Sequence, residues 1–149
     1  MSVMVYRLIM SRPPYEEIEH TADKALRAYG ETLPKLFEHA ALGMFDLMVH
    51  LETVKPERLW ELELSATSGE DLLHQWLEEL VYLFESEAVM LCQFEITEFM
   101  EWRLKATVRG SAMDQHTRRR GAVIKAVTYH DLAIEPDNGG WQATLTFDV

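Results

Sequence analysis

The feature that most restricts the fold is a run of apolar residues at helical spacing between Thr32 and His50. In TLPKLFEHAALGMFDLMVH, one helix face would carry Leu33, Leu36, Phe37, Ala40, Ala41, Met44, Phe45 and Met48. Thr32 is a suitable N-cap, and Pro34 falls in the first turn, where its missing N–H costs little. The pattern predicts an amphipathic helix lying on a core.

A second helix is predicted from TSGED onward. Thr67 or Ser68 would cap it, with Glu70 or Asp71 three positions further on. The buried stripe would consist of Leu72, Leu73, Trp76, Leu77, Leu80, Val81 and Phe84.

The other segments alternate between apolar and polar residues, as strands do. They are YEEIEH, ALRAYG, RLWELELSA, LCQFEITEFM, EWRLKATVRG, AVIKAVTYHDLAIE and WQATLTFDV, with PDNGG as a hairpin turn before the last. The order of strands and helices predicts an α+β fold: a single domain with a mixed or antiparallel β-sheet and two amphipathic helices packed on one face.

The charge balance restricts the partners. The chain has 14 Lys and Arg against 25 Asp and Glu, a net charge of −11. Phosphate neutralisation supplies much of nucleic-acid affinity, so strong direct binding to RNA or DNA is not expected. A cation or a basic protein suits this charge better. The one basic cluster, Arg118–Arg120, is interpreted as a solvated loop.

The expected location is the cytoplasm. The start of the sequence lacks the features of a signal peptide, and no apolar run approaches the ~20 residues of a membrane span. The single cysteine, Cys92, cannot form an internal disulfide.

Two acidic positions are candidates for binding a cation. In the last strand Asp148 faces away from the predicted core, and Val149 adds a main-chain carboxylate beside it. Asp23 and His20 lie in the EHTAD turn. If Asp23 met Asp148 and Val149, the oxygen ligands would suit Ca²⁺, Mg²⁺ or Mn²⁺. The alternative is that Asp23 stabilises a turn and the chain end is solvated.

Lys125 and His130 lie in the segment VIKAVTYHDL. Apolar residues on both faces predict a central strand, in which Lys125 needs solvent at its tip or a carboxylate partner. His130 could form a surface pair with Asp131. The sequence has no zinc-ligand spacing, glycine-rich phosphate loop or serine nucleophile elbow.

Several motifs together resemble the archease family. They are YEEIEHTADKALRAYG, TLPKLFEHAALGMFDLMV, IKAVTYHDLAIE and GWQATLTFDV, in this order. The resemblance implies an archease-like domain over residues 15–149, preceded by an extension over residues 1–14. It implies a non-enzymatic accessory protein of RtcB-type RNA ligases in tRNA splicing and RNA repair, which promotes guanylylation of the ligase and its multiple turnover.

The resemblance also implies a site. Asp23, Asp148 and Val149 would bind a divalent metal ion, commonly Ca²⁺, and Lys125 would take part in activating the ligase. His20 and His130 are possible neighbours of the metal ligands. Two departures are Lys24-Ala25, where the family often has an apolar residue and glycine, and the arginine-rich loop before Lys125, where no role is carried onto His116.

Two other functions remain open at the level of sequence. A small metal-dependent phosphohydrolase would use Asp23, Asp148 and either His20 or His130 around a catalytic ion. A chaperone-like protein-binding module would be indifferent to Asp23.

Overall fold

The computed structural model describes residues 12–18 and 23–149. Its helices are α1 (Leu33–Asp46) and α2 (Gly69–Glu87), with a 3₁₀ turn at Leu51–Thr53. Its strands are β1 (Tyr15–Ile18), β2 (Lys24–Gly30), β3 (Arg58–Ser65), β4 (Val89–Met100), β5 (Arg103–Ala112), β6 (Ala126–Val127), β7 (Ala133–Asp137) and β8 (Gly140–Asp148). None of the described helices is both long and apolar enough to cross a membrane.

Both helices form where the apolar spacing predicts them. The Thr32 hydroxyl accepts a hydrogen bond from the Lys35 N–H at 3.2 Å, and the Ser68 hydroxyl accepts one from the Asp71 N–H at 3.2 Å. The first helix ends at Asp46, before the predicted limit at His50, but Met48 beyond it is still buried. The apolar stripes of the two helices meet in one core.

The strands form two antiparallel sheets. Sheet 1 has the order β1-β2-β8-β6, and β7 also pairs with β8; sheet 2 has the order β3-β5-β4. Helix α1 packs against β2 and β8 of sheet 1 and against β4 of sheet 2. The fold is therefore α+β in a single domain, as predicted, with its strands divided between two sheets.

The segment predicted as one long strand, residues 122–135, is instead two short strands. Between β6 and β7 the chain turns: the Leu132 N–H donates to the Tyr129 carbonyl at 3.2 Å, and Asp131 has a φ of 56°. Strand β6 lies at the end of the strand order in sheet 1, and Lys125 is exposed. The prediction that Lys125 lies in a central strand is wrong.

The PDNGG turn is confirmed as a two-residue hairpin between β7 and β8. Asn138 and Gly139 have φ values of 47° and 82°, as a type I′ turn requires. This turn sets the register in which β8 leaves the hairpin and enters the middle of sheet 1.

Candidate functional site

The register between β2 and β8 brings Asp23 close to Asp148. The last pair in that register is Lys24 opposite Phe147. Continuing the antiparallel register by one residue puts Asp23 opposite Asp148, on neighbouring chains that lie ~4.8 Å apart in a sheet. The register therefore puts these two residues, far apart in sequence, at the same end of sheet 1.

On its other side, Asp148 adjoins Lys125. Ala126 is opposite Asp148 in the β6–β8 register, and the Lys125 N–H donates to the Asp148 carbonyl at 2.8 Å. Asp148 and Lys125 are exposed, and Val149 retains 47% of its accessible surface. We call Asp23, Lys125, Asp148 and Val149 the strand-end site.

The donor set of the strand-end site fits a hard cation. It contains two carboxylate side chains and the main-chain oxygen atoms of Val149, and hard divalent ions prefer oxygen ligands. Over residues 12–18 and 23–149, no three His, Cys, Asp or Glu side chains gather closely enough to hold a metal ion. A metal ion at the strand-end site would therefore need the oxygen atoms of Val149 as well as Asp23 and Asp148.

Of the two histidines considered as neighbours of the site, His20 lies outside the described residues. His130 lies four residues beyond Ala126, which is the residue opposite Asp148. Its Nε2 atom is 3.2 Å from the Asp131 carboxylate, as expected for a surface pair of these two residues.

Side chains of α2 hold β6, the strand that directly follows Lys125. The Val127 N–H donates to the Glu78 carboxylate at 2.6 Å, and the His74 Nε2 is 2.6 Å from the Val127 carbonyl. Because a carbonyl only accepts, this His74 nitrogen must carry the proton. The His74 ring stacks on Tyr129 at 3.9 Å between centroids.

One turn earlier on the same helix, Glu70 accepts a hydrogen bond from the Ile134 N–H at 3.1 Å. Sequence reasoning missed this set, which we call the α2 ladder (Glu70, His74 and Glu78). Its signal was present in the sequence, since polar residues spaced by four lie on one face of a helix.

A second polar cluster lies beside the site, at the end of α1. The Tyr15 hydroxyl donates to Asp46 at 3.0 Å, and Arg120 Nε is 3.3 Å from the other Asp46 oxygen. Burial raises the pKa of Tyr15 to about 12, and the hydrogen bond to Asp46 adds to the shift. Gly43 allows this contact, because a Cβ atom there would lie 2.9 Å from the Tyr15 ring.

The arginine-rich loop is fixed at its main chain and exposed at its side chains. The His50 N–H donates to the Arg118 carbonyl at 2.8 Å, and the Arg120 N–H donates to the Met48 carbonyl at 2.9 Å. Arg118–Arg120 are all exposed, in agreement with a solvated loop. The main chain is held because Val49 and Arg119 form a β-bridge.

Two clefts open beside the strand-end site. One, of about 420 Å³, contains Tyr15, Glu17 and Asp46 among its lining residues. The other, of about 700 Å³, is lined by Lys24, Arg120, Gly121, Ala122, Val123, Lys125 and Val149. We call the second the basic cleft; the two clefts share Lys24, Arg120 and Ala122.

The two-sheet fold and a match to one family model over nearly the whole chain define the class of protein. The model of the Archease protein family matches residues 15–149. An archease from Methanopyrus kandleri is 37% identical, over 91% of this chain and 99% of that protein. An archease from Methanosarcina mazei is 40% identical, over 91% of this chain and 95% of that protein. The chain belongs to the archease family.

Solved structures share the fold. The solution structure of protein 1598 from Methanobacterium thermoautotrophicum superposes with a TM-score of 0.80 at 29% identity, covering 91% of this chain and 99% of that one. The crystal structure of an archease from Thermotoga maritima, called a possible chaperone, has a TM-score of 0.61 at 24% identity, covering 94% and 98%. The second likeness concerns the fold alone.

Proposed function

We propose that this protein is a non-enzymatic activator of an RNA ligase of the RtcB family. In this proposal it promotes guanylylation of the active-site histidine of the ligase, so that the ligase turns over repeatedly in tRNA splicing and RNA repair. Membership of the archease family supports an accessory role of this kind.

The observation that carries the proposal is the position of β8 between β2 and β6. Its register supports a single site made of Asp23, Asp148, Val149 and Lys125. In the proposal, the three acidic groups hold a divalent cation, which supplies fixed positive charge, with Ca²⁺ favoured and Mg²⁺ or Mn²⁺ as alternatives. Lys125 is exposed at the same end of the sheet and can reach a partner.

The acidic charge of the chain suits a basic ligase as its partner. A net charge of −11 favours approach to a basic RNA-binding enzyme, because complementary charges speed association. At the contact, Lys125 would stabilise negative charge that develops on the transferred nucleotide phosphate. The chain itself forms and breaks no covalent bond in this scheme.

The test is multiple-turnover RNA ligation by a cognate RtcB-type ligase. Wild-type protein should raise the number of turnovers, and Asp23→Ala should abolish the stimulation while circular dichroism shows an intact fold. Asp148→Asn should act in the same way with almost no change in side-chain volume. The matched control is Glu61→Ala, which removes an exposed carboxylate from β3 in the other sheet and should stimulate normally.

Unchanged stimulation by Asp23→Ala would contradict the proposal. If the wild-type protein gave no stimulation, a screen for phosphoester hydrolysis with metal would test the hydrolase alternative. Suppression of aggregation of unrelated proteins, insensitive to Asp23→Ala, would instead support a chaperone-like role.

A further inference from the structure

The main chains of Lys125 and Asp148 are joined beside a very short strand. The Lys125 N–H donates to the Asp148 carbonyl at 2.8 Å, and β6, which follows Lys125, pairs with β8 over two residues. A pairing of this length contributes few hydrogen bonds, and short strand ends of this kind open easily. Strand β6 therefore needs support on its other side if it is to hold Lys125 and Asp148 in fixed positions.

That support comes from α2, through Val127. This residue is buried, with 3% of its surface exposed, and both of its main-chain polar groups bond to the helix. Its N–H donates to the Glu78 carboxylate, and its carbonyl accepts from His74, whose ring stacks on Tyr129. The His74 side chain is 16% exposed. Buried main-chain groups require partners, and a hydrogen bond to a carboxylate is stronger than one between neutral groups.

The α2 ladder divides its contacts between two strands. Glu78 and His74 contact β6, next to the strand-end site. Glu70 makes the same kind of bond to Ile134 in β7, and Ile134 is opposite Ala143, five residues before Asp148 in β8. One helix thus bonds sheet 1 with two carboxylates, one beside the strand-end site and one away from it.

We propose that Glu78 and His74 are positioning residues for the strand-end site: they fix β6, and β6 fixes the main chains of Lys125 and Asp148. The inference rests on the proposed function, because it names the residues that hold the site which that function uses. A lysine side chain has a flexible stem, so its ammonium group can be directed at a partner only from a fixed main chain. A metal ligand likewise binds more tightly when its supporting residues restrict it.

The test compares Glu78→Ala with Glu70→Ala in the full chain, because each removes one carboxylate that accepts from a main-chain N–H of sheet 1. Isothermal titration calorimetry measures calcium affinity, and NMR follows hydrogen exchange of the Lys125 amide. Glu78→Ala should weaken calcium binding about tenfold, as loss of a residue that supports a metal ligand does, and should speed exchange at Lys125. Glu70→Ala should alter neither quantity, although it loses an equivalent hydrogen bond.

Conservative variants separate positioning from side-chain bulk and charge. Glu78→Gln keeps an oxygen atom that accepts from the Val127 N–H, and His74→Gln keeps an N–H group that donates to the Val127 carbonyl. Both variants should stay close to wild type in calcium affinity and in exchange at Lys125. His74→Ala, which has no such donor, should instead behave like Glu78→Ala.

Equal effects of Glu78→Ala and Glu70→Ala would overturn the proposal, since both would then act through general stability. Unchanged exchange at Lys125 in Glu78→Ala would also overturn it. Failure of the proposed function gives a different result: wild-type protein would neither bind calcium nor stimulate the ligase. Exchange at Lys125 in the same variants would still decide whether α2 holds the strand-end site, because that measurement requires neither metal nor ligase.

Discussion

At the scale of single residues, the largest pKa shift among the described groups belongs to Tyr15, whose hydroxyl is half-buried against Asp46. Its pKa is raised from 10.0 to about 12, first by burial and then by the hydrogen bond to Asp46. A raised folded-state pKa means that the neutral tyrosine stabilises the fold below pH 10. This contribution is lost as the pH rises from 10 to 12, because the unfolded chain then releases the proton more readily.

The first prediction follows from the upward direction of the Tyr15 pKa shift. Wild-type protein should lose stability between pH 10 and 12 more steeply than Tyr15→Phe, which has no proton to release. The measurement is the urea midpoint of both proteins at several pH values in that window. Tyr82→Phe is the control, since Tyr82 is 62% exposed, and it should follow the wild-type curve. Parallel curves for wild type and Tyr15→Phe would contradict the pKa shift.

At the scale of elements, the α2 ladder covers the edge of sheet 1. An unpaired strand edge leaves N–H and C=O groups without partners. Here Glu78 and His74 bond both main-chain groups of Val127, and Glu70 bonds the N–H of Ile134. The helix thus takes the place of another strand, which explains why β6 remains at the edge and is only two residues long.

A second prediction tests whether the α2 ladder protects the edge of sheet 1. Glu78→Ala should lower the free energy of unfolding by about 1.5–3 kcal/mol, because the Val127 N–H loses a charged acceptor. Urea denaturation measures the loss, and hydrogen exchange should show the Val127 amide exchanging faster. Glu85→Ala removes an exposed glutamate from the same helix and should change neither quantity by much. Unaltered exchange at Val127 would show that the edge is protected by something else.

At the scale of the molecule, one hydrophobic core joins the two sheets. The cluster contains Leu26 and Phe147 from sheet 1, Val108 from sheet 2 and Trp76 from α2. Trp76 is fully buried, and its indole N–H donates to the Phe37 carbonyl in α1 at 2.9 Å. Among the residues that the structure describes, both sheets share this one cluster, so neither sheet should remain folded without the other.

The third prediction is a single unfolding transition. Amide signals from β2 and from β5 should disappear at the same urea concentration when followed by NMR. Leu77→Ala, a truncation of a fully buried side chain in α2, should lower both midpoints together, at a cost of about 2–5 kcal/mol. Separate midpoints for the two strands would contradict the shared core.

Local patterns in the sequence predict the helices well and the arrangement of strands less well. The buried face of α1, the Ser68 cap and the Asn138–Gly139 turn each depend on residues that are near neighbours in the chain. Division of the strands between two sheets depends on pairings across the whole chain, which no local pattern contains. Lys125 misled for a related reason: the apolar residues around it are not all covered, since Ile124 is buried whereas Val123 and Tyr129 are exposed, and no local pattern distinguishes them.

The candidate site likewise combines residues that the sequence singles out with an arrangement that only the strand pairing provides. Sequence patterns and the family resemblance single out Asp23, Asp148, Val149 and Lys125, but only the register of β8 with β2 and β6 brings them to one end of a sheet. The two clefts could not be predicted, since Lys24 and Arg120, which line both of them, lie far apart in the chain.

The central position of β8 has a consequence for biosynthesis. It bonds to β2 on one side and to β6 and β7 on the other, although it follows all of them in the chain. While a ribosome is still adding residues 140–149, β2 and β6 have no strand between them. Chains released before β8 is made would lack Asp148 and its hydrogen bond to the Lys125 main chain, so the strand-end site cannot form until β8 has been synthesised.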